Sequence, residues 1–449
     1  MKKCKIYTLP KDTEDLTGQI MATLINNHQG DRRRYKQLES YIINDNDGKP
    51  IMTRESPNPI LTVNNFAVYI MRMNAGYLLG TPVEYQAKQG VKIDPIIDAY
   101  TEQSISDLDS ELAEDCSAFG RAFENVYVDE DSAILSARLD PSQTIVIYDN
   151  TMKHNKIFAL NFVNRIKEDG SKIEDEFDIT YWTTTHEITG TLKGTTFTQA
   201  SKRKHYFGEV PVIEYINNRR MFGDYEPVIS LIDAYNILQS DRVLDREKLV
   251  DAILAFYGAR SLTDEQQEHL KQYRTIGLPE NSKAEYIIKN IDEAGADVLR
   301  KTLAQDIHKF SMTPDLSDEN FASNSSGVAI LYKLLAFEQN IKVKERYFNK
   351  GLMNRLKLYS AILGKKSKLT NFNVRDVDII FKRSLPKNDL EISQMINNLR
   401  DIVDDESLVG QLSFVRDASE TVEKARKERE AELQGTGFGT TNPNEGESE

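Results

Sequence analysis

Mixed helix and sheet, an α+β fold, follows from three features of the sequence. Residues 122 to 216 hold successive β-rich runs parted by acidic turns, the pattern of an antiparallel sheet. From Asp224 to Tyr257 no breaker interrupts a helical stretch, and from Leu334 to Leu363 apolar residues recur at steps of three, four or seven. The 449 residues leave room for roughly two to four compact units around a substantial core.

The chain opens with Met1-Lys-Lys-Cys-Lys-Ile-Tyr, whose lysines precede no apolar stretch of signal-peptide length. Asp31-Arg-Arg-Arg-Tyr-Lys-Gln-Leu-Glu-Ser-Tyr-Ile reads as a short charged helix that ends before the turn-rich Asn44 to Pro50. Its arginine triplet suits a solvated or salt-bridged face better than a phosphate contact. The most apolar long window, Ile60 to Leu79, carries Asn64, Asn65, Arg72 and Asn74, a polar load costly at a bilayer centre. It belongs to a core helix, and no membrane association is expected. Phe66, Ile70, Met73 and Tyr77 recur there at helical spacing until Gly80-Thr-Pro82 hands over to an extended Val83-Glu-Tyr85. A helix from Ile105 ends near Gly120, and the β region follows.

After the sheet, Asp224 is placed to cap a helix whose first turn tolerates Pro227. Continuous to Tyr257, that helix would be roughly 50 Å long. Its stripe of Val228, Leu231, Ile232, Tyr235 and Leu238 gives way to a charged centre, Gln239 to Lys248, before Leu249, Ile253 and Phe256 resume an apolar face. Residues 259 to 291 read as a small insert: a helix near Asp264 to Tyr273, an extended Ile276 to Pro279 and a β-like Glu285 to Asn290. A helix from Asp292 to Phe310 leads back. Helix out, small unit and helix back describe a protruding arm with a head. In the charged centre, Asp241 with Asp245 and Arg242 with Arg246 set like charges four apart, which disfavours an isolated helix, so partners elsewhere are expected.

The segment Ser317 to Ser326 is polar and rich in Asn and Ser, as suits a backbone that water must solvate. Pro314 restricts the chain before it; Ser325 or Ser326 can cap the next helix, and Gly327 allows a tight entry. That helix carries the stripe Leu334, Phe337, Ile341, Phe348, Leu352, Leu356, Tyr359 and Leu363, and Gly364 is expected to end it. Asn373 to Pro386 adds a strand. Short polar helices follow to about Gln434, and a tail low in apolar residues and rich in Gly, Thr and Glu is expected to be disordered.

Catalytic constellations are missing from the pattern. Cys4 and Cys116 alone cannot build a disulfide framework or thiolate cluster, which suits a reducing cytoplasm. The histidines at 28, 154, 186, 205, 269 and 308 form no metal-binding pair, and neither a phosphate loop nor a nucleophile elbow is present. No cofactor is expected. Asp315, Asp318, Glu319 and Asn320 could hold a hard cation, although a solvated loop suits their spacing better. The formal charge of -13 argues against a protein built to grip nucleic acid phosphates.

Several stretches are similar to the portal proteins of tailed bacteriophages, in particular those of Gram-positive siphophages. They are "VNNFAVYIMRMNAGYLLGTPVEY", "LDPSQTIVIYD", "VPVIEYINNRRMFGDYEPVISLIDAYNILQSD", "DIHKFSMTPDLSDENFASNSSGVAILYKLL" and "FKRSLPKNDLEISQMINNL", which together span most of the chain. The resemblance implies a wing over residues 1–225, a stem helix over 226–258, a clip over 259–291 and a second stem helix over 292–312. It further implies a tunnel loop at 313–326, a wing helix and strand over 327–385, a crown over 386–434 and a disordered tail at 435–449.

The function it implies is a ring, usually of twelve subunits, at one capsid vertex. Duplex DNA would pass through during packaging and ejection, and the ring would be assembled in the host cytoplasm and retained in the virion. Implied partners are other copies of the chain, the terminase large subunit, a head-to-tail adaptor, and the major capsid and scaffolding proteins. Asp318, Glu319, Asn320, Phe321, Ser323, Asn324 and Ser325 would line the channel, and Tyr273, Arg274, Leu278, Glu280 and Tyr286 would form the clip's docking surface. Asp241, Arg242, Asp245, Arg246 and Lys248 would touch neighbouring stems. Two other readings remain at this point: a metal-dependent phage nuclease using the acidic 315–320 segment, and a scaffold or adaptor that forms no channel.

Overall fold

The computed structural model describes residues 5–43, 63–167, 169–250, 253–258, 268, 283–287, 293–316, 327–369, 372–383, 389–399, 402–412, 415 and 418–435. The chain divides into a larger unit, Met1–Ser325 with Ile330–Arg383, and a smaller one, Ser326–Ala329 with Ser384–Glu449. Helix and sheet are mixed, as expected from the sequence.

The larger unit is built on two sheets. Strand β1 (Tyr7–Leu9) runs parallel to β5 (Thr144–Asp149), and β6 (Lys156–Ile166), β7 (Lys172–Trp182), β8 (His186–Lys193) and β9 (Thr196–Lys204) continue antiparallel. The second sheet has the order β10 (Val212–Ile216), β3 (Arg121–Val128), β4 (Ile134–Leu139). Alternation along each strand sorts the core into layers. Ile145, Ile147, Phe158, Leu160, Phe162, Ile179 and Tyr181 face helix α1 (Gly18–Ile43), meeting Met21, Leu24 and Ile25. Their neighbours Val146, Ala159 and Trp182 point the other way, onto Phe123 and Val212 of the second sheet.

The short charged helix expected at Asp31 is the second half of the 26-residue α1. His28 and Asp31 hid the earlier start, because these polar residues sit on its buried face and interrupt the apolar signal. Tyr7 donates to Asp31 and also meets His28 Nδ1 at 3.1 Å. Of the arginine triplet, Arg34 makes a two-pronged pair with Glu226, in keeping with a salt-bridged face.

Helix α2 (Phe66–Leu79) is a core helix, with Ile70, Met71, Leu78 and Leu79 buried. It leads to β2 (Glu84–Ala87), which pairs with the late strand β13 (Val377–Ile380). Helices α3 (Asp94–Glu102) and α4 (Ile105–Phe119) follow. Gly120 ends α4 with φ of 84°, and a Cβ there would lie 2.1 Å from the carbonyl oxygen of Met221, so both backbone and space demand glycine.

Three local expectations are corrected. Asp224 does not cap the next helix: a 3-10 turn at Glu226–Val228 precedes α5 (Ile229–Val250), and the Asp224 carboxylate is taken up by Ser117, Asn217 and Lys344. The long helix stops at Val250, and Ile253–Tyr257 is strand β11, paired antiparallel with β12 (Lys283–Ile287). A five-residue apolar run, Ile-Leu-Ala-Phe-Tyr, fits a strand as well as a helix, and the cross-strand partner decides it. The second strand accordingly lies two residues earlier than Glu285. Of residues 259–282 only Glu268 is described, as helical; the expected 276–279 extension lies outside the described residues.

Helix α6 (Glu293–Ser311) returns to the body, and α7 (Gly327–Lys365) begins one residue after Ser326. All eight stripe residues of α7 are buried. The helix runs one residue past Gly364, because Ser367 adopts the left-handed turn (φ 57°) and Lys368 N donates to Leu363 O at 3.0 Å. Gly351 lets α7 approach β10: a Cβ there would lie 2.2 Å from the Tyr215 ring.

The smaller unit contains α8 (Asp389–Leu399), α9 (Asp405–Val409) and α10 (Ala418–Gly435). Asp404 caps α9 by accepting from Ser407 N at 2.8 Å. The tail from residue 436 lies outside the described residues.

Candidate functional site: the two-helix arm and its root

Helices α5 and α6 run antiparallel. Ile232 and Ile307 share one core near the body, Tyr235 lies beside Arg300 further out, and Arg242 meets Glu293 further still. Arg246 also approaches Glu293, at 3.6 Å, and Arg242 donates to Gln239 at 2.9 Å. Part of the compensation expected for the like-charged centre of α5 therefore comes from within the chain, at the first turn of the return helix. The Arg242 hydrogen bond holds the Glu293 carboxyl below its ordinary range. Asp241 and Asp245 also interact with other groups, and the Lys248 side chain lies outside the described residues.

At the root, α6 ends where Met312 takes a left-handed turn (φ 55°). Thr313 N donates to His308 O at 3.1 Å, which closes the helix end. The following residues are tied to α2. Asn74 Nδ2 donates to Thr313 Oγ1 at 3.1 Å, Tyr69 OH donates to Pro314 O at 2.7 Å, and Leu316 N donates back to Tyr69 OH at 3.3 Å. His308 sits edge-on to Phe66 and Tyr69, with Nδ1 3.1 Å from Thr313 O. Burial raises the Tyr69 hydroxyl pKa, so this residue remains a donor. The chain is thus clamped up to the start of the polar segment.

The clamp is wired to α7. Lys344, buried on that helix, donates to Asn74 Oδ1 at 2.6 Å and pairs with Asp224, whose carboxylate also accepts from Ser117 at 2.6 Å and Asn217 at 2.8 Å. Burial pulls the Lys344 amine below its ordinary pKa. Three turns on, Arg355 is fully buried, bonded to Glu124 at 2.8 Å and Asp109 at 2.6 Å, with Tyr215 OH donating to Glu124 at 2.6 Å. Burial alone would lower the Arg355 pKa, but the two carboxylates outweigh it and hold the guanidinium charged.

Sequence reasoning missed both cations. The signal was present: Lys344 lies three residues after Ile341, and Arg355 three after Leu352, so each charge interrupts the stripe on its own buried face.

The tunnel-loop residues Asp318, Glu319, Asn320, Phe321, Ser323, Asn324 and Ser325 lie outside the described residues, as do Tyr273, Arg274, Leu278 and Glu280 of the clip surface. Tyr286 lies on β12 opposite Leu254. Of the acidic set considered for a cation, Asp315 alone is described; its Oδ2 is 3.8 Å from His308 Nε2. Among the described residues no metal-ligating cluster occurs, and no helix is long and apolar enough to cross a membrane.

Comparison with known proteins points in one direction. Residues 22–435 match the family described as phage portal protein, SPP1 Gp6-like. The portal protein of Bacillus phage SPP1 is 23% identical over 395 residues, covering 80% of this chain and 74% of the relative. The portal protein of Clostridium phage phiCD119 is 20% identical over 419 residues, covering 87% and 91% respectively. With an arm of two antiparallel helices rooted on a buried clamp, and a match across nearly its whole length, the chain belongs to the SPP1 Gp6-like family of phage portal proteins.

Proposed function

We propose that the chain assembles into a ring, a dodecamer, at one capsid vertex, and that the ring is the channel for DNA packaging and ejection. Portal proteins are structural components of the virion, and a structural role without catalysis is the reading adopted for this chain. The observation that carries the assembly is on the arm. Ile237 and Val243 of α5 are 43% and 37% exposed, and Val298 and Leu299 of α6 are 66% and 49% exposed. Four exposed apolar side chains distributed along two adjacent helices cost solvation in a lone subunit, and a neighbouring arm would cover them.

In this reading the root clamp sets the direction in which residues 317–326 leave the arm, and these segments converge on the axis from every subunit. The region between β11 and β12 docks the terminase large subunit during packaging and the head-to-tail adaptor afterwards, while the wing meets major capsid and scaffolding proteins. A charge of -13 per subunit keeps adhesion to passing duplex weak.

Light scattering and negative-stain images of the purified protein test the proposal. Twelve copies would weigh on the order of 600 kDa and show a central hole; a stable monomer or dimer over a range of salt concentrations would refute it. Replacing Asp318 to Asn324 with a Gly-Ser linker is expected to leave rings intact and to impair packaging of DNA into capsids. Packaging at normal rate and length would make that segment a mere connector.

A further inference from the structure

A cavity of about 560 Å³ opens between the two sheets and the end of α7. Its floor is apolar: Val126, Trp182, Phe207 and Ile362 are buried there. Its rim is cationic. Arg203, Lys204, Lys365 and Lys366 are exposed at the cavity, and Glu187 is the one carboxylate that lines it.

Among the described residues only Arg203 of these four has a carboxylate partner, Glu187 at 2.9 Å. Lys365 donates to the carbonyl of Tyr206 at 2.6 Å, Lys366 donates to that of Ser132, and Lys204 lies over the Tyr206 ring at 5.7 Å. Three uncompensated cations thus gather around one apolar hollow in a protein whose formal charge is -13. His205, whose Nδ1 is buried without a hydrogen-bond partner among the described residues, lines the same cavity.

We propose that this cavity is a docking site for an acidic peptide segment of another protein, anchored by one aromatic side chain. The volume falls within the range that holds a small ligand or a few side chains. The floor takes an apolar ring, and the rim lysines meet flanking carboxylates in water, where they confer selectivity and steer association. Charge complementarity favours this occupant over nucleic acid. A short acidic peptide brings only a few negative charges against the repulsion of the whole acidic protein, whereas a polyphosphate brings a long run of them and would leave the floor unfilled.

Trp182 is the sole tryptophan of the chain and forms part of the floor, so its fluorescence reports occupancy directly. The intact protein is titrated with the acetylated, amidated peptide Glu-Glu-Phe-Glu-Glu. A saturable change in Trp182 emission at sub-millimolar peptide is expected. Binding is expected to weaken about tenfold or more when the peptide's glutamates become Gln, when its Phe becomes Gly, or in the Lys204→Gln/Lys365→Gln variant. Both lysines are exposed, and an unchanged circular dichroism spectrum confirms that the variant is folded. The proposal is overturned by the absence of a saturable response up to millimolar peptide, by equal response to the Gln peptide, or by tighter binding of oligothymidylate of matched length.

Discussion

The body around α7 and the arm of α5 and α6 both contain arginine–glutamate pairs, and the pairs do different things. Arg355 and Glu124 are fully buried, with Asp109 bonded to the arginine and Tyr215 to the glutamate. Such a pair gives little net stability over an apolar substitute, but it penalises any register of α7 in which one partner is lost. On the arm, the side chains of Arg246 and Glu293 are 70% and 41% exposed, and water screens their attraction. The body pairs its charges to fix one arrangement of its own elements; the arm pairs some of them and leaves apolar side chains uncovered. Burial separates a framework from an exposed surface, the one that the proposed ring would cover.

The sharpest way to break that contrast is Arg355→Ala. Glu124 and Asp109 would remain buried without their cation, and a loss of about 3–5 kcal/mol is expected in urea denaturation. A loss near that of a surface substitution would place the pair among the weak ones.

A second buried group tests the body by pH. Burial holds His28 at about 4, below the ordinary 6.5. The unfolded chain therefore takes up a proton first as pH falls. The stability from the neutral ring is complete above 6.5 and is lost on acidification towards 4, a difference of roughly 3 kcal/mol. His28→Gln is expected to flatten this part of the stability profile relative to the parent; parallel profiles would show that His28 is not the titrating group. Asp115, raised to about 6 by burial, slopes the opposite way between about 4 and 6, so the comparison must be made between variants.

On the arm the effects on the chain itself are expected to be small. Arg242→Glu should lower stability slightly, and the charge swap Arg242→Glu/Glu293→Arg should restore both stability and ring yield on a sizing column if the pair acts within one chain. Rescue of stability without rescue of yield would show that Arg242 also meets a neighbour. Smallest of all for stability, Val298→Ser/Leu299→Ser is expected to change unfolding by no more than about 0.5 kcal/mol while markedly reducing ring yield. Unchanged yield would remove the argument for assembly through these side chains.

Much of the molecule could be read from its residues. The α7 stripe, the helix that leads to Gly120, the Gly80-Thr-Pro82 turn into β2, and the outward and returning helices of the arm rest on local periodicity and breakers, which a sequence displays directly. What local pattern could not supply was the identity of partners far along the chain. Ile253–Tyr257 became a strand because Lys283–Ile287 pairs with it, β1 joined a sheet whose other strands begin at Thr144, and Asp224 left the role of cap for a lysine 120 positions away. Arg355 and Lys344 look like surface charges by composition, and only the convergence of Asp109, Glu124, Asn74 and Asp224 makes their burial tolerable. Sequence determined which segments could be helix, strand or turn, because those preferences are local; tertiary structure decided which charges could be buried, because a buried charge is stable only beside partners brought from elsewhere in the chain.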